Sequence, residues 1–393
     1  MSFTPDFTPV RAAMQRYVDQ NLLAGVSHAV LHGRELIEQH CTGFADVEAR
    51  TPLREDHLFR IFSNTKLVTS MAVLLLVEAG HIGLDDPVAN WIPQLANRQV
   101  LRPGAAAIDD TEPARSDITL RQLLTHSSGL SYGLLDPGTL MFKAYVNSRT
   151  RDPRVPLSVQ MDRLQPLPLA FHPGTGWEYS VATDVLGHLI EVISGQGLDT
   201  FFAERIFGPL GMVDTGFWVP PDQFHRLTAY YTGADLQDPL KPGLTRIDHA
   251  PYPGAYTQRV PGLSGGGGLI SSLPDMLALM RSLLPGGPTL LKPETRALMM
   301  RNHLQPGQHI GFQQSGVVVG KGFGLGGAVT LAPSSLDPAA STDEFQWGGI
   351  AGTHWWISPR TGLSGLLMTQ RAMGFWHPFA FEFKQRVYAA VSR

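Results

Sequence analysis

The order of patterns along this sequence predicts an α+β fold, a mostly antiparallel sheet flanked by helices with a helical domain inserted into it. A helix and β-rich segments open the chain, short helices and Pro/Gly turns fill its middle, and glycine-rich strands return before a last helix. The two ends are therefore expected to share one sheet. On this division residues 1–84 and 256–393 form the sheet domain, and residues 85–255 form the mainly helical insert.

Each element has a local reason. Thr8-Pro9 reads as an N-cap and first helical residue, and Val10, Met14, Tyr17, Val18 and Leu22 follow at helical spacing. Gly25 to Ala45 reads as a hairpin turning at His32-Gly33. Leu67 to Val77 is apolar nearly all round, the mark of a buried helix. It is too short to span a membrane, and Gly80 stands where a C-terminal cap belongs. Leu101 to Asp117 is polar and irregular and reads as a surface loop. Ile118 to Leu124 is a short helix capped at Asp117 or Thr119, and Asp184 to Ile193 is a helix ended by Gly195. Gly265 to Ser271 and Val317 to Leu331 combine glycine with β-branched residues. Trp355-Trp356-Ile357 and Leu363 to Thr369 pair around a Pro359–Gly362 turn, and Pro378 to Val391 forms the closing helix.

Composition narrows the class. A formal charge of −3 over 393 residues offers no basic footprint, so nucleic acid is not an expected partner. The single cysteine, Cys41, leaves no intrachain disulfide to form. Met1 to Asp6 has neither a basic start nor an apolar core, so no secretory leader is read there. Both observations predict a cytoplasmic protein without a membrane partner. There is no H-E-x-x-H and no Cys/His clustering, so neither metal nor other cofactor is expected. His28, His32 and His40 are read as exposed polar positions of the hairpin. The oligomeric state is open.

Chemistry concentrates in three places. Ser63-Asn64-Thr65-Lys66 puts a hydroxyl and an amine three residues apart, on one face of a helix start. It is the only S-x-x-K in a chain with six lysines. A lysine at the base of a buried helix is unfavourable unless paired or neutral. Tyr179 ends a turn-rich approach, Phe171 to Glu178, to a helix starting near Ala182. A phenol there matters if a lysine lies close, because each shifts the other's pKa. Gln346-Trp347-Gly348-Gly349-Ile350 places two glycines after a tryptophan in a strand, where backbone can approach a ligand closely.

Other motifs fail their context. Gly262-Leu263-Ser264-Gly265-Gly266 matches the G-x-S-x-G elbow, yet Pro261 precedes it and glycines rather than a helix follow it. Gly322 to Gly327 matches G-x-G-x-x-G but runs on into strand, and Gly316 to Lys321 is a residue short of a phosphate loop.

Ser63-x-x-Lys66, Tyr179-Ser180-Val181 and Trp347-Gly348-Gly349, in this order and at these separations, resemble the family VIII carboxylesterases. These are the esterase branch of the serine β-lactamase and penicillin-binding-protein superfamily. Leu123 to Leu130, Phe171-x-Pro173-Gly174, Pro209 to Met212 and Gly268 to Ser272 extend the likeness over most of the chain. The resemblance implies a β-lactamase-like fold and an acyl-enzyme on Ser63, with Lys66 and Tyr179 sharing the proton work. It implies oxyanion donors in the backbone N–H groups of Ser63 and Ile350. It also implies a pocket contacted by Tyr132, Trp347, Gly348 and Gly349. Class C β-lactamases have Tyr-x-Asn where this chain has Val181, and Lys-Thr-Gly where it has Trp347-Gly348-Gly349. The lost lysine suited a carboxylate, so small or short-acyl esters are the expected substrates. β-Lactam or D-Ala-peptide hydrolysis, acyl transfer, and a non-catalytic sensor role are the alternatives.

Overall fold

The computed structural model describes residues 5–312 and 316–391. The first four residues, part of the segment read for a leader, lie outside the described residues. Helix α1 (Thr8–Asp19) leads into strands β1 (Gly25–His32), β2 (Glu35–Asp46) and β3 (Thr51–Pro52). Helix α2 (Thr65–Glu78) follows, then α3 (Leu120–Leu124) and α4 (Ala182–Ser194) in the middle region. Strands β4 (Lys321–Phe323), β5 (Ala328–Thr330), β6 (Phe345–Gly348), β7 (His354–Ile357) and β8 (Leu363–Met368) precede helix α5 (Pro378–Val391).

These eight strands make one sheet in the order β4-β5-β6-β7-β8-β1-β2-β3, with every assigned pairing antiparallel. The joint between the chain's ends is the β1–β8 ladder, where Ser27 opposes Met368 and Ala29 opposes Leu366. Alternation along the strands covers both faces. Ala29, Leu31, Leu366 and Met368 pack with α2 in the large core, while Val26, Val30 and Leu367 pack with α1 and α5. His28 points to that second face and is fully buried, against Phe383 at 5.2 Å and Glu38 at 3.3 Å. The expectation of an exposed His28 is therefore corrected: period-two alternation takes it inside, and a carboxylate meets it there. His32 is exposed and His40 partly so.

Three local expectations also change. Thr8 is itself the first helical residue, and its N–H donates to the Asp6 carboxylate at 2.9 Å. The stretch from Leu101 to Asp117 is no structureless loop, because Gln99–Leu101 pairs with Thr111–Pro113. In Gly265 to Ser271 only Ile270–Ser271 is strand, paired with Phe59–Arg60 just ahead of Ser63. Helix α3 chooses Thr119 over Asp117 as its cap, with a reciprocal capping box to Gln122. No helix among the described residues is long and apolar enough to cross a membrane.

Candidate active site

Ser63 sits in a single 3-10 turn, Phe62–Asn64, that runs directly into α2. The turn is entered through Phe62, whose φ of 41° is left-handed, a conformation unfavourable for a bulky residue. Surrounding contacts hold it there: the Phe62 ring lies 5.5 Å from Tyr230 and 5.7 Å from Tyr256. The serine thus leaves the strand at a sharp angle and faces a cavity of about 470 Å³.

The spacing argument for Lys66 holds in three dimensions. Its Nζ stands 3.5 Å from Ser63 Oγ, and it donates to the Gly266 carbonyl at 2.7 Å. Lys66 is 1 % exposed, and burial pushes its pKa below the ordinary amine value. Tyr179 arrives from the loop before α4 and donates its hydroxyl to Ser63 Oγ at 2.7 Å. Burial pushes this phenol up to about 12, with its bonds to Ser63 and Trp347 pulling the other way. Proximity to lysine therefore does not make Tyr179 acidic, since desolvation dominates. At neutral pH the phenol keeps its proton, and the amine is the group whose proton is weakly held.

Aromatic rings fix the phenol. His126 lies 4.8 Å from the Tyr179 ring, Trp347 5.5 Å and Tyr132 5.7 Å. Trp347 Nε1 donates to Tyr179 Oη at 3.4 Å. His126 is buried, and its Nδ1 pairs with Ser180 Oγ at 3.0 Å. Burial first, and Lys66 second, hold this imidazole well below its usual pKa, so it is a neutral wedge.

Trp347, Gly348, Ile350 and Tyr132 line the cavity with Ser63 and Tyr179. Gly349 is not among the lining residues, and its role differs from the one expected. A Cβ there would stand 2.4 Å from the Ile61 carbonyl and 2.5 Å from Thr353 Oγ1. The close approach at this glycine is between β6 and the backbone leading to Ser63, rather than between backbone and ligand. Ile350 sits in the turn after β6, its carbonyl accepting from Gly374 N–H at 2.9 Å.

Ser264 is also at the cavity, but its Oγ donates to Asp184 at 2.6 Å. The same Asp184 oxygen accepts the Gly266 N–H at 3.0 Å. That pair of bonds fixes the loop whose Gly266 carbonyl faces Lys66. The G-x-S-x-G serine is thus a strut beneath the base. Sequence reasoning missed Asp184 and Gly266, although four consecutive glycines at Gly265–Gly268 marked a place of close backbone packing. It also missed Arg151, which lines the cavity.

A serine held between a buried amine and a phenol, under an antiparallel sheet with helices on both faces, defines a serine β-lactamase-like protein. Residues 10–377 match the Beta-lactamase family, and the chain belongs to that family, in its family VIII carboxylesterase branch. It is similar to Esterase EstB of Burkholderia gladioli, with 34% identity over 409 aligned positions covering 99% of this chain and 97% of the relative. Among solved structures it is similar to EstCE1, a hydrolase with promiscuous acyltransferase activity, at TM-score 0.79 and 26% identity, covering 96% of this chain and 97% of that one. Simvastatin synthase (LovD) of Aspergillus terreus superposes at TM-score 0.81 with 25% identity and 98% coverage of each chain.

Proposed function

We propose that this protein is a serine carboxylesterase that hydrolyses small or short-acyl esters through a covalent acyl-enzyme on Ser63. One observation carries the proposal: Tyr179 Oη at 2.7 Å and Lys66 Nζ at 3.5 Å converge on the same Ser63 Oγ. Neutral Lys66 takes the hydroxyl proton as Oγ attacks the ester carbonyl. Tyr179, still protonated, passes its proton to the leaving alkoxide and is reprotonated by the Lys66 ammonium, which restores the neutral amine and the phenol for the same exchange with water that releases the acid. The developing oxyanion is met by the N–H groups of Ser63 and Ile350. Ser63 is the second residue of its short turn, at a helix start where N–H groups have no intrahelical partner, and Ile350 N–H has no backbone acceptor among the described residues. Tyr132, Trp347 and Gly348 form the substrate wall, and Gly349 holds β6 against the nucleophile turn.

Likeness to EstB, an esterase, and to EstCE1, a hydrolase, supports this reading. Acyl transfer to an alcohol is the second reading, favoured by the likeness to simvastatin synthase and by a cavity large enough for an acyl group and an alcohol together. A cytoplasmic setting belongs to the same proposal, supported by the lone, part-buried thiol of Cys41.

Turnover of 4-nitrophenyl acetate tests the assignment. Ser63→Ala should lower kcat/KM by at least about 10³-fold, whereas Ser264→Ala should retain turnover with a smaller loss. Activity that survives Ser63→Ala and vanishes in Ser264→Ala would overturn it. Added alcohol that diverts product from acid to ester would establish transfer.

A further inference from the structure

The cavity's lining is aromatic and apolar apart from a few polar groups, and a single cation faces it. Arg151 is the only Lys, Arg or His among the lining residues. Its Cζ lies 4.4 Å from the centroid of the Tyr132 ring, while Lys66 Nζ lies 5.8 Å from the same centroid. One tyrosine ring therefore relates Arg151 to the base of the proposed site. Arg151 makes no ion pair among the described residues, and its side chain is open to the cavity.

Neither nearby acid is paired with Arg151. Asp152, next in sequence, is taken by Arg154 at 2.8 Å and Arg163 at 3.2 Å. Asp184, the one carboxylate on the lining, directs Oδ1 to Ser264 and Gly266 and leaves Oδ2 buried without a hydrogen-bond partner among the described residues. Arg149 and Arg154 stand on the same short loop, beside a second cavity that Arg151 also lines. Arg151 thus stands as a guanidinium unpaired among the described residues, on the lining of both cavities. A guanidinium is always charged and offers a planar fork of donors that matches a carboxylate. Stacked on an aromatic ring, it is held in place before any ligand arrives.

We propose that Arg151 is a specificity residue that binds a carboxylate carried by the ester substrate, on a part of the molecule remote from the scissile bond. This rests on the esterase reading and deepens it: the preferred substrates are hemiesters or acid-bearing esters rather than neutral ones. The arginine supplies, from the helical region, the carboxylate-binding charge missing at Trp347.

Two matched ester pairs test this, one with the charge on each side of the scissile bond. On the acyl side, mono(4-nitrophenyl) glutarate is compared with 4-nitrophenyl pentanoate. On the alcohol side, 3-acetoxybenzoate is compared with its methyl ester. The ratio of kcat/KM for the charged over the neutral member should fall about tenfold to a hundredfold in Arg151→Gln in at least one pair. The loss should lie mainly in KM, should shrink as salt rises, and should be partly restored in Arg151→Lys. A ratio unchanged by Arg151→Gln in both pairs overturns the inference while leaving the esterase reading intact. If wild-type protein turns over none of the four esters, or Ser63→Ala turns over all of them undiminished, the esterase reading falls and the inference with it.

Discussion

Lys66 serves as a base because charging it is unfavourable where it sits. It is enclosed by α2 and the glycine loop, with one carbonyl and one hydroxyl in reach and no carboxylate bonded to it among the described residues. The active form is the neutral amine, so kcat/KM should rise with pH through the Lys66 pKa and then level off. Burial lowers that pKa from the ordinary value, which moves the rise toward neutrality. No alkaline fall from Tyr179 is expected below about pH 10, because that phenol is pushed up to about 12. Lys66→Arg keeps the charge but cannot shed it, and should be inactive across the whole profile; a profile of wild-type shape in that variant would remove Lys66 from the base role. Linkage has the same sign. Between the lowered folded pKa and the unfolded value near 10.4, the unfolded chain binds more protons, so this residue adds stability as pH rises across that window. At this scale the sequence was half legible. Ser63 and Lys66 are three residues apart and visible as a pair, while Tyr179, Gly266 and Arg151 become neighbours only through tertiary folding.

Elements set the distances that residues exploit. Strand β6 ends in Gly348 and turns at Gly349, pressed against the Ile61 carbonyl that precedes the nucleophile turn. Gly349→Ala would force backbone apart at this contact, a destabilisation of about 1–3 kcal/mol. It should depress kcat as well as Tm, because Ile350 is the next residue. A melt that drops with kcat intact would separate β6 from the oxyanion site. The glycines were legible as a sign of close approach, but nothing local says whether ligand or protein does the approaching. His28 shows the complementary limit. A polar residue in a strand reads as outward, and only the presence of Glu38 across the β1–β2 hairpin allows it inward. The caps at Thr119 and Gly80 were legible because they act through their own backbone neighbours, whereas the N-cap read at Thr8 falls one residue inside the helix.

The whole molecule closes on itself. Tyr17, near the end of α1, donates to Glu382 at 2.8 Å and meets Phe379 at 6.1 Å near the start of α5. The end of α1 therefore lies beside the start of α5, and the two helices that carry the chain's ends pack together. A circular permutant that links these ends and opens the exposed loop between Ala106 and Ala107 should fold, melt cooperatively and keep ester turnover within about tenfold. An insoluble or inactive permutant would show that the order of the elements matters beyond their placement. Sharing of one sheet by both chain ends was legible from the sequence of patterns, although strand order was not, since registers depend on partners far away. The β1–β8 ladder also imposes a schedule on biosynthesis. β1 leaves the ribosome early, but its neighbour β8 is translated about 330 residues later, a wait of roughly 20–60 s. For most of that interval Ser63 and Lys66 already exist without Trp347 and Ile350. The nascent chain carries an open strand edge and an unfinished catalytic centre until translation is nearly over.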